Sequence, residues 1–205
     1  MKLYKYKSYE DYQNYQIKAN KLKIHNSYVD PNSLCYLLNH LIKNIKIIPK
    51  FILCHGTRRG LEQQYIIDFF KELDYTPEVI GTEISPTASK YPNTIQWDFH
   101  EVKKEWISNI DIIYSNSFDH SYKPQDCLDA WMGCLNKKGV CILEYSPECD
   151  NKSGNTDPFG ATLDEYKDFI NSKYKIIDII DNEGIKDKGH SHKGKRYYII
   201  INNKK

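Results

Sequence analysis

Two glycines stand four residues apart in the stretch CHGTRRG, residues 54–60, and Glu62 follows as an apolar-periodic run begins. A turn of this kind between a short apolar run and a helix brings backbone close to a ligand at Gly56 and Gly60, with His55, Thr57 and Arg58 between and before them. Glu83 closes GTEIS, where a carboxylate accepts hydrogen bonds from both hydroxyls of a ribose. Asp98 in QWDFH is placed to accept from an adenine amino group while the Phe99 N–H donates to the ring. The segment YSNSFDHSY then gathers Ser115, Asn116, Ser117, Asp119 and His120. Imidazole titrates near neutrality, so His120, oriented by Asp119 or Asp126, is a candidate general base. Each residue also has a plainer reading. Glu83 serves as a solvated strand end, Asp98 as a cap on a helix at EVKKEW, and His120 as a packing residue at a helix entrance.

These groups need elements to position them. Ser8 with Asp11, and Asp30 before Pro31, mark the starts of two helices covering about residues 8–22 and 31–45. From Phe51 apolar strands alternate with helices: KFILC, helix LEQQYIIDFFKEL, PEVIGTE, NTIQW, DIIYS, helix KPQDCLDAWMGCL, GVCILEY. That rhythm predicts an α/β protein with a Rossmann-like, doubly wound parallel sheet, ligands binding at the carboxyl ends of its strands. The capping box of Thr162 and Glu165 opens one more helix. YKIIDIID and KRYYIII follow with no helix between them, so the last strand is expected antiparallel. The division expected is an N-terminal helical extension, 1–48, and a ligand-binding domain, 49–205.

Composition excludes several classes. The chain has 205 residues, a net charge of +2 and a pI near 8.1, without the basic stripe of a duplex-binding protein. Six cysteines form no C-x-x-C pair and read as buried thiols in a reducing compartment, which points to the cytoplasm. No apolar run approaches the roughly 18 residues of a spanning helix, and the N-terminus carries no apolar signal core, so neither a membrane nor a secreted location is expected.

The loop after the first strand, Glu83, Asp98, DIIYSNSFDHS, NKKGVCILEYS and the terminal hairpin together resemble class I S-adenosylmethionine-dependent methyltransferases over about residues 50–205. CHGTRRGLEQ, SNSFDHS and DPFGA look like a small bacterial and viral subgroup. Two departures stand out: Cys54 replaces the family's acidic residue two before the first glycine, and Arg58 replaces the middle glycine. The resemblance implies a seven-stranded sheet with S-adenosylmethionine held by residues 55–58, Gly60, Glu62, Glu83, Ile84, Asp98, Phe99 and residues 115–117. Arg58 and the hairpin disfavour a nicotinamide dinucleotide.

Methyl transfer is an in-line displacement in which alignment carries much of the acceleration, and a base helps most when the acceptor is a hydroxyl. SNSF lacks the Pro-Pro tetrapeptide of many N-methyltransferases, so O-methylation of a small polar molecule, such as a sugar or nucleotide sugar, is the expected reaction. The loop SPECDNKSGNTDPFGA lies over the same mouth and offers Asp157, Phe159 and Gly160 to the substrate. Asp119, His120, Asp150 and Asp157 are divalent-ion candidates, but scattered aspartates define no site and no metal is assigned. Methylation of RNA or protein and a catalytically inactive adaptor subunit are the alternatives, with nucleic acid disfavoured and a homodimer allowed. His190 and His192, flanked by lysines, read as a solvated loop, and the N-terminal tyrosines as packing for a helix that closes over the cofactor.

Overall fold

The computed structural model describes residues 1–147, 152–182, 185 and 195–203, which leaves Cys149, Asp150, His190 and His192 outside the described residues. The chain begins with a two-residue strand β1 (Lys2–Leu3) and helix α1 (Tyr9–Leu22), where the Ser8 hydroxyl accepts from the Asp11 N–H. Helix α2 (Pro31–His40) starts on the Asp30 carboxylate and continues into one wide turn, Leu41–Ile45, closed by Lys46 in left-handed backbone. The sheet and its covering helices follow: β2 (Phe51–His55), α3 (Leu61–Lys71), β3 (Glu78–Glu83), β4 (Thr94–Gln96), β5 (Ile110–Ser115), α4 (Pro124–Cys134) and β6 (Leu135–Tyr145). Then come β7 (Phe159–Gly160), α5 (Leu163–Asn171), β8 (Lys175–Asp181) and β9 (Tyr197–Asn202).

Seven strands lie in the order β4-β3-β2-β5-β6-β9-β8. The first five are parallel to one another, and β9 runs antiparallel to both β6 and β8, as the missing crossover helix requires. Alternation along each strand sends side chains to opposite faces. Ile52 and Cys54 join Leu34, Leu37, Ile66 and Phe70 of α2 and α3, whereas Leu53, Ile113 and Cys141 join Leu128, Trp131 and Ile170 of α4 and α5. Helix α2 is therefore one of the layer helices on the sheet.

Three local features differ from the sequence expectation. The stretch EVKKEW forms only a tight turn at Lys104–Trp106, so the β4–β5 connection carries no α-helix. The second helix loses regular winding after His40. Strand β1 pairs antiparallel with β7, tying the N-terminus to the loop that precedes α5. All five described cysteines are free, and burial raises the thiols of Cys54, Cys127 and Cys141. Among the described residues no helix is long and apolar enough to cross a membrane.

Candidate functional site

Strand β2 ends in a turn whose backbone runs left-handed three times, at Gly56 (φ 73°), Arg58 (φ 48°) and Gly60 (φ 77°). Arg58 thus takes the conformation a glycine adopts freely, at a cost of about 1–2 kcal/mol for an L-residue. Two contacts offset that cost: its N–H donates to Glu83 Oε2 at 3.0 Å, and its guanidinium lies 4.6 Å from the centre of the Tyr28 ring. The turn is fixed from behind as well. The Gly56 and Thr57 N–H groups donate to Thr82 O, and the buried Gln63 amide donates to the hydroxyls of Thr57 and Thr94. At Gly56 a Cβ would stand 2.7 Å from Ser117 Cβ, so the ends of β2 and β5 approach to a distance that only glycine allows.

A cavity of about 410 Å³ opens in front of this turn, and a narrower one of about 40 Å³ adjoins it, the two sharing Lys23, Gly56, Arg58, Ser117 and His120. Glu83, Ile84 and Phe99 line the narrow part, roofed by Tyr12, Gln16, Ala19 and Asn20 of α1. Burial raises the Glu83 carboxyl, and its oxygens accept from the Arg58 and Ser85 N–H groups. Glu62 faces the large part from the first turn of α3. One of its oxygens accepts from Asn116 at 3.2 Å, and the other, Oε2, is buried without a partner among the described residues. Burial pushes this carboxyl up to about 7.

The large cavity is also lined by Asp119, His120, Asp157 and Phe159 and by the aromatic rings of Tyr145 and Tyr166. Beneath them Arg196 pairs with Glu144 at 3.2 Å, both buried, and the Tyr114 hydroxyl donates to the same carboxylate at 2.5 Å. Burial raises the Asp119 carboxyl, with Asp157 adding to the shift against the relief from His120.

Several sequence candidates lie elsewhere. His55 is a core residue: it stacks on Trp131 at 4.6 Å, shares a hydrogen bond with Thr82, and burial pushes its imidazole down to about 3. Ser115 is fully buried, donating to His55 O and accepting from the Ser117 N–H, and so braces the strand ends. Asp98 lines neither cavity; it accepts from the Tyr9 hydroxyl at 2.7 Å and binds the His100 ring and N–H. Gly60 shapes the turn, and Gly160 pairs with Lys2 in the small sheet; neither lines a cavity. Sequence reasoning missed Glu144 and Arg196. The signal available was a lone acid at the carboxyl end of a strand and one of only three arginines in the chain just before the last strand.

Comparison with solved structures places this arrangement. A 1,6-didemethyltoxoflavin N1-methyltransferase of Burkholderia thailandensis, crystallised with bound 1,6-didemethyltoxoflavin and S-adenosylhomocysteine, superposes with a TM-score of 0.70. The match covers 98% of this chain and 93% of that one at 11% identity. The fold is that of the S-adenosylmethionine-dependent methyltransferases. A TehB-like S-adenosylmethionine-dependent methyltransferase from Corynebacterium glutamicum matches over 96% of this chain and 100% of its own, with a TM-score of 0.57 and 13% identity. One from Clostridium acetobutylicum covers 86% and 93%, with a TM-score of 0.59 and 10% identity. No family model and no curated protein matches the sequence.

Proposed function

We propose that the protein is an S-adenosylmethionine-dependent methyltransferase acting on a small polar acceptor. The observation that carries the reading is a pair of buried carboxylates, Glu83 and Glu62, on either side of the left-handed turn and facing one continuous cavity. Glu83 is the ribose acceptor. Glu62, with an unpartnered oxygen and a raised pKa, takes the cofactor's ammonium group and so stands in for the acid that Cys54 replaces. The narrow part holds about 40 Å³, far less than a nucleoside needs, so α1 moves outward when the cofactor binds. That movement frees Asp98 from Tyr9 to meet the adenine amino group.

The acceptor occupies the end lined by His120, Asp119, Asp157 and Phe159. Its charged surroundings, which include Lys152 and Arg196, support a polar hydroxyl compound such as a sugar or nucleotide sugar, with His120 taking the hydroxyl proton. A second reading, N-methylation of a flat nitrogen heterocycle, is favoured by the aromatic wall of Tyr145, Phe159 and Tyr166 and by the likeness to the toxoflavin enzyme. Acceptor screening with sugars and heterocycles separates the two. His120→Ala reduces turnover on a hydroxyl by about 10²- to 10⁴-fold, whereas a neutral ring nitrogen needs no base and keeps its rate.

A further inference from the structure

We propose that Asp119, His120 and Asp157 form a binding site for a divalent transition-metal ion at the mouth of the larger cavity. The three donor atoms lie within 4.8 Å of one another. His120 Nε2 is 3.3 Å from Asp157 Oδ1 and 3.9 Å from Asp119 Oδ1. Two donors bound to one ion at about 2.1 Å and at right angles are about 3.0 Å apart, so each of the two His120 distances reaches that spacing with a closure of less than about an ångström.

The hydrogen bonds behind these donors point the same way. Gln16 donates its Nε2 to the Thr156 carbonyl at 2.9 Å, which fixes the amide so that its oxygen faces His120 Nδ1 at 2.9 Å. An amide oxygen only accepts, so Nδ1 carries a proton and Nε2 is the ring atom that faces the two carboxylates. A cation between the three groups takes one lone pair from each. Asp157 is held similarly: Thr156 Oγ1 donates to Oδ2 at 3.0 Å and leaves Oδ1 facing His120. An imidazole oriented through its other nitrogen and a carboxylate oriented through its other oxygen are what metal ligands require of their surroundings. One nitrogen among the three donors favours Mn²⁺, Co²⁺ or Zn²⁺ over Mg²⁺ and Ca²⁺.

Three protein donors leave positions for water and for an acceptor oxygen. The role of the ion, unlike its binding, rests on the methyltransferase reading. A hydroxyl bound to the ion releases its proton to water and the oxygen attacks the sulfonium methyl. The carbon–sulfur bond breaks with its electron pair going to sulfur; while the ion is bound His120 is its ligand and water takes the proton, and His120 takes that proton only in the metal-free protein.

The test is a Mn²⁺ titration of the full chain followed by electron paramagnetic resonance of the free ion, with circular dichroism melting of every variant. One Mn²⁺ per chain is expected, displaced by Zn²⁺ more readily than by Mg²⁺. Asp119→Asn and Asp157→Asn weaken it at least about tenfold, and Gln16→Leu by about 10- to 100-fold, with melting unchanged. Absence of binding at millimolar Mn²⁺, or binding indifferent to both aspartate substitutions, overturns the site. Equal displacement by Mg²⁺ overturns the choice of metal class. S-adenosylhomocysteine titrated in excess EDTA reports on the methyltransferase reading alone, so the two fail separately.

Discussion

If Glu62 receives the ammonium group of the methyl donor, cofactor affinity must depend on pH in a way that one substitution removes. Its carboxyl ionises near 7 in the empty protein because burial opposes the charge, with relief from Asn116 and Arg58. About a tenth of the molecules carry the ionised form at pH 6 and about nine-tenths at pH 8, so affinity for S-adenosylhomocysteine rises about tenfold across that interval. Glu62→Gln keeps an oxygen for Asn116 and removes the charge. Losing one charge-assisted hydrogen bond costs about 1.5–3 kcal/mol, or roughly 10- to 150-fold in affinity at pH 8. Every other titrating group is shared, so the difference between wild type and variant isolates Glu62.

Stability moves in the opposite direction. The folded value lies above the unfolded one, so the favourable contribution is complete below about 4.5 and is lost as pH rises through about 7. A rise from 4.5 to about 7 corresponds to about 3 kcal/mol, and the variant is more stable than wild type by up to that amount at pH 8. Calorimetric titrations at pH 6 and pH 8, with urea unfolding of both proteins, read these effects. An affinity that is flat with pH, together with a variant that binds as tightly as wild type, refutes the assignment.

Other substitutions probe the remaining parts. Glu83→Ala removes the carboxylate proposed to accept from the ribose and the anchor of the Arg58 N–H, and lowers affinity for S-adenosylhomocysteine by about 10- to 100-fold, measured by calorimetry. Arg58→Gly relieves left-handed strain but loses the Tyr28 contact, so stability in urea changes by less than about 1 kcal/mol; a loss above about 2 kcal/mol contradicts the account of the turn. His55 has a folded pKa below its unfolded value, so its contribution is present above about 6.5 and is lost as pH falls towards about 3. His55→Gln therefore flattens the acid limb of the stability profile.

The strands and caps were legible because their signals are local. Ser8, Asp30 and the Thr162–Glu165 box each satisfy N–H groups within three or four residues, and the strand alternation needs only a core on each side. What could not be read depends on distance in the chain. Asp98 has one oxygen taken by Tyr9, 89 residues away, and Glu144 at the end of β6 meets Arg196, which precedes β9. Cys54 and Arg58 depart from the family's residue types at this turn, and by residue type Arg58 disfavoured a dinucleotide. The structure gives a physical reason for their tolerance: Arg58 adopts the glycine conformation with its N–H held by Glu83, and a carboxylate two residues past the turn faces the same cavity. EVKKEW failed as a helix although its residue types allow one, and Trp106 is instead buried in the sheet core.

The most direct test of the central claim is calorimetric titration of the purified chain with S-adenosylhomocysteine, run beside NAD and NADP. The account predicts saturable one-to-one binding of S-adenosylhomocysteine alone, weakened about 10- to 100-fold in Glu83→Ala. Binding of a nicotinamide dinucleotide, or of none of the three, contradicts it.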